Sequence, residues 1–135
     1  MTTTTADTDV AVVRAGFQAV ANGDLATFRD QFHPDATWNH RNDDRLGGMH
    51  RGSDAIVAFL AESMRLTGGT LRPVPLAYLT DGEGRVAVLT GISGTRPDGR
   101  AFDDRQILLF TIEHGRVRSV DQFVGDPAAV TAFWA

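Results

Sequence analysis

The 135-residue chain contains no cysteine. Disulfides, thiolate nucleophiles and cysteine-ligated zinc are therefore excluded. Lysine is missing as well, since all 13 cationic side chains are arginine. That removes Schiff-base chemistry and a P-loop type of phosphate-binding lysine. No apolar run is long enough to span a membrane, so no membrane partner is expected. The net charge is −4, with no block of either sign. Nucleic acid requires concentrated positive charge and is not an expected partner. The opening MTTTTAD is polar and lacks a basic-then-apolar signal pattern. Residues 1–6 are expected to form a disordered tail, and the protein is expected in the cytoplasm. Catalysis, if any, must draw on His, Asp, Glu, Tyr, Ser, Thr, Arg or an added metal.

What is present reads as one domain over residues 7–135. Val10, Val13, Phe17 and Val20 recur at helical spacing, with Asp7 or Thr8 as the cap and Asn22-Gly23 as the stop. Asp24 caps a second helix with Leu25, Phe28 and Phe32 on one face, stopped by Pro34. Residues 36–40 read as a short strand and residues 41–52 as a polar loop. Ser53 caps a third helix bearing Ile56, Val57, Leu60 and Met64. Strands follow over residues 70–80, 85–95, 101–113 and 116–124, and a short closing helix follows GDP. Pro73 and Pro75 confine the first of these strands to an edge or a bulge. Helices first and an antiparallel sheet after them imply an α+β fold, with the helices on one face of a curved sheet.

The last hairpin turns at His114-Gly115, so Glu113 opposes Arg116. Counting outward in strict alternation pairs Ile112 with Val117, Phe110 with Ser119, Leu108 with Asp121 and Gln106 with Phe123. On this register Asp121 lies on the inner face among Leu108, Phe110 and Phe123. A carboxylate in that setting is available as a general acid or base. The structural alternative is an Asp that bonds an arginine or a backbone group at the sheet rim. One extra residue in the hairpin would turn Asp121 outward.

The segments NGDLATFRDQFHPDATW, HRGSDAIVAFL and LLFTIEHGRVRSVDQF, in this order and spacing, resemble the SnoaL-like or nuclear-transport-factor-2-like superfamily. The resemblance covers roughly residues 8–125. It implies a cone-shaped curved antiparallel sheet with three N-terminal helices packed on its concave face. It further implies that the strand ending at His40 lines a cavity, with Trp38 and His40 on one face. The general-base Asp of the related ketosteroid isomerases falls on His40. Their oxyanion Tyr falls on Gly16, and their oxyanion Asp falls near Leu108 or Ile107. The usual isomerase route therefore lacks its oxyanion pair here. In related polyketide cyclases an Asp on the last strands performs acid–base chemistry, and Asp121 matches that role. Related epoxide hydrolases use an Asp–Arg–Asp set, for which FDDRQ offers Asp103 and Arg105, on the face opposite to Asp121. The fold also implies a homodimer through the outer sheet face, to which Ile107, Leu109, Val120 and Val124 are assigned.

The resulting expectation is a cofactor-independent acid–base enzyme acting on a hydrophobic, oxygenated small molecule. It would be of the cyclase, isomerase or dehydratase type. His40 and Asp121 are the expected acid–base pair, and Phe17, Trp38, Leu60, Tyr78, Leu108, Phe110 and Phe123 the expected substrate-binding wall. The alternative for His40 is a strand-end histidine bonded to the loop that follows it. No cofactor is expected for such chemistry, consistent with the missing lysine and cysteine, and no metal, because the spacing of His40, Asp43, Asp44 and His50 matches no ligand motif. The rival function is a non-catalytic ligand-binding or dimerising module of the same fold. Epoxide-hydrolase-like water activation is a third reading.

Overall fold

The computed structural model describes residues 4–135. The first helix, α1 (Thr5–Ala21), begins three residues earlier than the periodicity predicts. Thr4 is its cap: the hydroxyl accepts the Asp7 amide, and the Asp7 carboxylate reaches back to the Thr4 amide. This reciprocal box satisfies two otherwise free N–H groups. Residues 4–6 are therefore cap and first turn rather than tail, and residues 1–3 lie outside the described residues. Asp24 caps α2 (Leu25–Asp30) as expected, accepting the Thr27 amide.

The first strand, β1 (Phe32–Arg41), is longer than predicted. The polar loop contains a short strand, β2 (Gly48–Arg51), which pairs antiparallel with β1. The third helix, α3 (Ser53–Leu66), takes Gly52 as its cap residue, and Ser53 makes no capping bond. Then come β3 (Arg72–Thr80), β4 (Arg85–Thr95), β5 (Ala101–Glu113), β6 (Arg116–Phe123) and α4 (Pro127–Trp134). The six strands form one curved sheet in the order β2-β1-β6-β5-β4-β3. The sheet is mixed rather than antiparallel, because β1 runs parallel to β6.

The inner face carries the core. Val86 and Val88 of β4, Leu108, Phe110 and Ile112 of β5, and Val117 and Val120 of β6 are buried there with Ile56 of α3 and Val13 of α1. A second cluster joins Leu46, Leu66, Val130, Phe133 and Trp134. Thus α4 closes onto β5, with Phe133 stacked on Phe102 at 4.1 Å between centroids.

The hairpin register decides the site. His114 and Gly115 both have positive φ, 52° and 77°, as a two-residue turn with right-handed strand twist requires. Glu113 opposes Arg116 and Ile112 opposes Val117, as expected. The register then shifts by one residue. Thr111 opposes Ser119, Phe110 opposes Val120, Leu109 opposes Asp121, and Leu108 opposes Gln122. The extra residue is a β-bulge at Arg118, and it turns every later side chain of β6 to the other face. The reason is visible in the burial pattern: Val117 and Val120 are both buried although they are three apart.

Candidate functional site

The bulge removes Asp121 from the interior. Its side chain is 31% exposed and pairs on the outer face with Arg41, at 3.0 Å from Nε and 2.9 Å from Nη2. The rim alternative is the correct one, and the expected His40–Asp121 pair does not form. Phe123 also turns outward, 43% exposed, beneath the Arg41 guanidinium. Tyr78 packs beside the core and receives the Arg14 guanidinium on its ring, and it does not line the cavity. The assigned outer-face set is corrected too. Ile107 is exposed there, but Val120 is buried and Val124 packs against the cluster under α4. Asp103 and Arg105 are exposed. They share the outer face with Asp121, outside the cavity, which removes the residues of the epoxide-hydrolase reading from the interior.

The remaining expected wall residues do converge. Phe17, Trp38, Leu60, Leu108 and Phe110 line a cavity of about 90 Å³, with His40. That is several times the ~10–15 Å³ one water needs. Phe59, which the sequence reading passed over, lies at the centre of one wall. Its ring is 5.6 Å from Trp38, 5.8 Å from His40 and 4.3 Å from His50. Helix α4 contributes Trp134 to the lining.

One wall is polar, and its hydrogen bonds run in a single direction. The Trp38 indole N–H is a donor only, and it donates to Gln122 Oε1 at 2.9 Å. This fixes the Gln122 amide with its oxygen toward His40, whose Nδ1 lies 3.0 Å away. Nδ1 must therefore carry a proton. Gln122 Nε2 donates to Gln106 Oε1 at 2.6 Å, and Gln106 Nε2 donates to Asp104 Oδ2 at 3.0 Å. Asp104 also accepts the backbone N–H groups of Gly125 and Asp126, at 3.0 and 3.1 Å. It thereby ties the polar wall to the turn that starts α4.

The other His40 nitrogen meets Asp44. Nε2 lies 2.8 Å from Asp44 Oδ2, with side chains only 3% and 0% exposed. Asp44 also accepts from Asn42 Nδ2 at 2.6 Å and from the Leu46 amide at 2.8 Å. Burial pushes the Asp44 carboxyl up. The His40 and Asn42 hydrogen bonds, the His40 charge and the Leu46 amide outweigh it and hold the group below the usual carboxylate range. An ionised carboxylate cannot face a bare ring nitrogen at this distance without repulsion. A proton therefore lies between Nε2 and Oδ2, and the ring is held at both nitrogens. The loop-bonded alternative for His40 and its cavity placement are both realised.

His50 spends its Nε2 on the Leu46 carbonyl at 2.9 Å. No cluster of three or more potential metal-ligating side chains occurs among the described residues. No helix among them is long and apolar enough to cross a membrane. The sequence reading missed Asp44, Asp104 and Gln122 as site residues. Asp104 was reachable by continuing the alternation Phe110, Leu108, Gln106 by one more step. Gln122 was reachable from the odd Val117–Val120 spacing, which signals the bulge.

The family model for the SnoaL-like domain matches residues 13–120, and the chain belongs to that family. It is 34% identical to the uncharacterized protein Rv0034 of Mycobacterium tuberculosis, over 97% of this chain and 99% of that protein. Among solved structures, Bal32a from a soil-derived mobile gene cassette is 30% identical, with a TM-score of 0.93 over 97% of this chain and 99% of its own. A protein of unknown function with a cystatin-like fold from Xanthomonas campestris is 26% identical, with a TM-score of 0.86 over 94% and 98%.

Proposed function

We propose that this protein is a cofactor-independent acid–base enzyme that acts on a hydrophobic, oxygenated small molecule held in the inner cavity. The reaction class is proton transfer next to a carbonyl, as in cyclisation, isomerisation or dehydration. The observation that carries the reading is the buried His40–Asp44 pair, in which His40 lines a largely apolar cavity and Asp44 holds it from behind. Asp44 takes the part expected of Asp121. It holds the ring in one orientation and balances the charge the ring gains on taking a proton, which His40 then returns. Apolar walls strengthen the electrostatic effect of the pair on a substrate oxygen.

The test is solvent-proton exchange. The protein is mixed in D2O with 1-indanone, 2-indanone and 1,3-cyclohexanedione, and loss of the protons next to the carbonyl is followed by NMR. The wild type accelerates exchange for at least one ketone. His40→Asn lowers that rate by about a hundredfold or more, the usual contribution of a positioned acid–base group.

One observation favours a second reading, a ligand-binding module without catalysis. Both ring nitrogens of His40 are engaged inside the protein, so proton transfer requires one of these bonds to open. Binding of the ketones with no exchange above background establishes that reading in place of the first.

We also propose a homodimer through the outer sheet face. Support comes from Val74, Leu76 and Leu79 of β3, Ile107 of β5 and Phe123 of β6, all large apolar side chains left exposed. Exposed apolar side chains gathered on one sheet face are the kind of surface that association covers.

A further inference from the structure

Gln106 and Gln122 stand side by side in the polar wall, and neither amide is free to turn over. At one end Trp38 N–H and His40 Nδ1–H both donate to Gln122 Oε1, so that oxygen has no lone pair to spare. At the other end Asp104 accepts from Gln106 Nε2 and from two backbone amides. An amide nitrogen there cannot be exchanged for an oxygen without setting two acceptors against each other. The amide between them follows: Gln122 Nε2 donates to Gln106 Oε1. The two amide dipoles thus point the same way, from His40 toward the Asp104 carboxylate. Aligned hydrogen bonds in a chain strengthen one another.

Each carboxamide nitrogen carries two N–H groups. Gln122 Nε2 uses one on Gln106, and Gln106 Nε2 uses one on Asp104. The second N–H of each has no acceptor among the described residues, and both side chains line the cavity. The unsatisfied capacity of this wall is therefore mainly donor. No arginine lines the cavity, so the wall offers hydrogen bonds without a mobile cation.

We propose that Gln106 and Gln122 are the specificity-determining pair of the cavity, and that together they bind one acceptor oxygen of the ligand. The ligand class is a neutral carbonyl compound, a ketone or quinone, whose oxygen takes both N–H groups. Ligands with an ammonium or other obligate donor at that position are rejected, since their N–H would meet N–H. Asp104 acts as a positioning residue, because it fixes which way the pair points. The inference rests on the cavity's being a ligand site, as proposed above, and not on His40's acting in catalysis.

The test uses three shape-matched probes: 1-indanone, indane and 1-aminoindane. Their binding is followed calorimetrically, and the carbonyl stretch of bound 13C-labelled indanone is read by infrared difference spectroscopy. Indanone binds about tenfold tighter than indane, as expected for two net hydrogen bonds of ordinary strength. 1-Aminoindane binds weaker than indane. The bound carbonyl stretch falls below its frequency in an apolar solvent. Gln122→Met and Gln106→Met keep the side-chain length and each reduce the tenfold preference and the frequency shift. Asp104→Asn lets the Gln106 amide turn, and it raises the affinity for 1-aminoindane relative to indanone.

Equal binding of indanone and indane by the wild type overturns the proposal without any variant's needing to fold. An unchanged carbonyl shift in both methionine variants also overturns it. If none of the probes binds, the cavity is not a ligand site and both readings fall. If indanone binds with the shift but exchanges no protons, the donor pair stands and only the catalytic reading fails.

Discussion

Removing the Asp44 carboxylate tests the central feature of the site. Asp44→Ala leaves His40 Nε2, the Asn42 amide and the Leu46 N–H without their acceptor, and all three bonds are 2.6–2.8 Å long. Breaking one partner of a buried ion pair costs about 3–5 kcal/mol, because the other charge stays buried. For a domain of this size that corresponds to a fall of very roughly 10–15 °C in Tm. Asp44→Asn is the informative companion. Its amide can donate to a deprotonated Nε2, so it recovers part of the loss, leaving about 1–3 kcal/mol. The assays are urea denaturation across pH and 15N NMR of the imidazole nitrogens. In the wild type a proton is held between Nε2 and the carboxylate, and in Asp44→Asn Nε2 becomes the bare acceptor of the amide N–H. The pH dependence has a definite sign. The folded Asp44 carboxyl lies below its ordinary value of 3.8. Its contribution is complete above that value and disappears as pH falls through the lower folded value. Wild type and Asp44→Asn therefore differ in stability at neutral pH and converge in acid. A bare Nε2 with no proton shared with Asp44 in the wild type, or a loss below about 1 kcal/mol in Asp44→Ala, refutes the His40–Asp44 pairing.

Three further outcomes follow from the same geometry. Asp121→Asn removes only an exposed pair with Arg41, so stability changes by about 0–1 kcal/mol and ketone exchange stays within about twofold; a hundredfold loss of exchange would put this carboxylate back at the substrate. Gly125→Ala drives a methyl group into the Arg105 carbonyl and to 2.8 Å from Asp104 Oδ1; a loss of about 2 kcal/mol or more is expected by urea denaturation, and a neutral result would mean that the turn before α4 gives way freely. Leu79→Asp places a charge on an exposed apolar position of β3, 60% exposed; sedimentation velocity is expected to show a dimer for the wild type and a monomer for the variant, and a monomeric wild type would dispose of the outer-face dimer.

Local signals settled most of the architecture. The helical spacing of Val10, Val13, Phe17 and Val20, the Asp24 cap and the His114-Gly115 turn are each written in a few neighbouring residues. They appear in the structure at or within a few residues of the expected positions. The inward face of β5 was equally legible, because period-two alternation from Phe110 through Leu108 to Gln106 continues unbroken. Placing His40 and Trp38 inside required the family resemblance as well as the strand pattern.

What the sequence could not decide alone was which face of β6 is inside beyond Val117. Strict alternation put Asp121 in the cavity. One bulged residue at Arg118 put Gln122 there instead and moved Asp121 to Arg41. A bulge depends on how two strands accommodate the curvature of the whole sheet, and here it leaves both Val117 and Val120 buried in the core. The meeting of His40 with Asp44, and of Asp104 with Gly125 and Asp126, likewise depends on where loops return across the sheet. Short-range chemistry therefore determined the elements and the cavity wall. The identity of the carboxylates beside that wall, and the direction of its hydrogen bonds, were set by the tertiary fold, because a one-residue change in register reverses a side chain's face at no local cost the sequence displays.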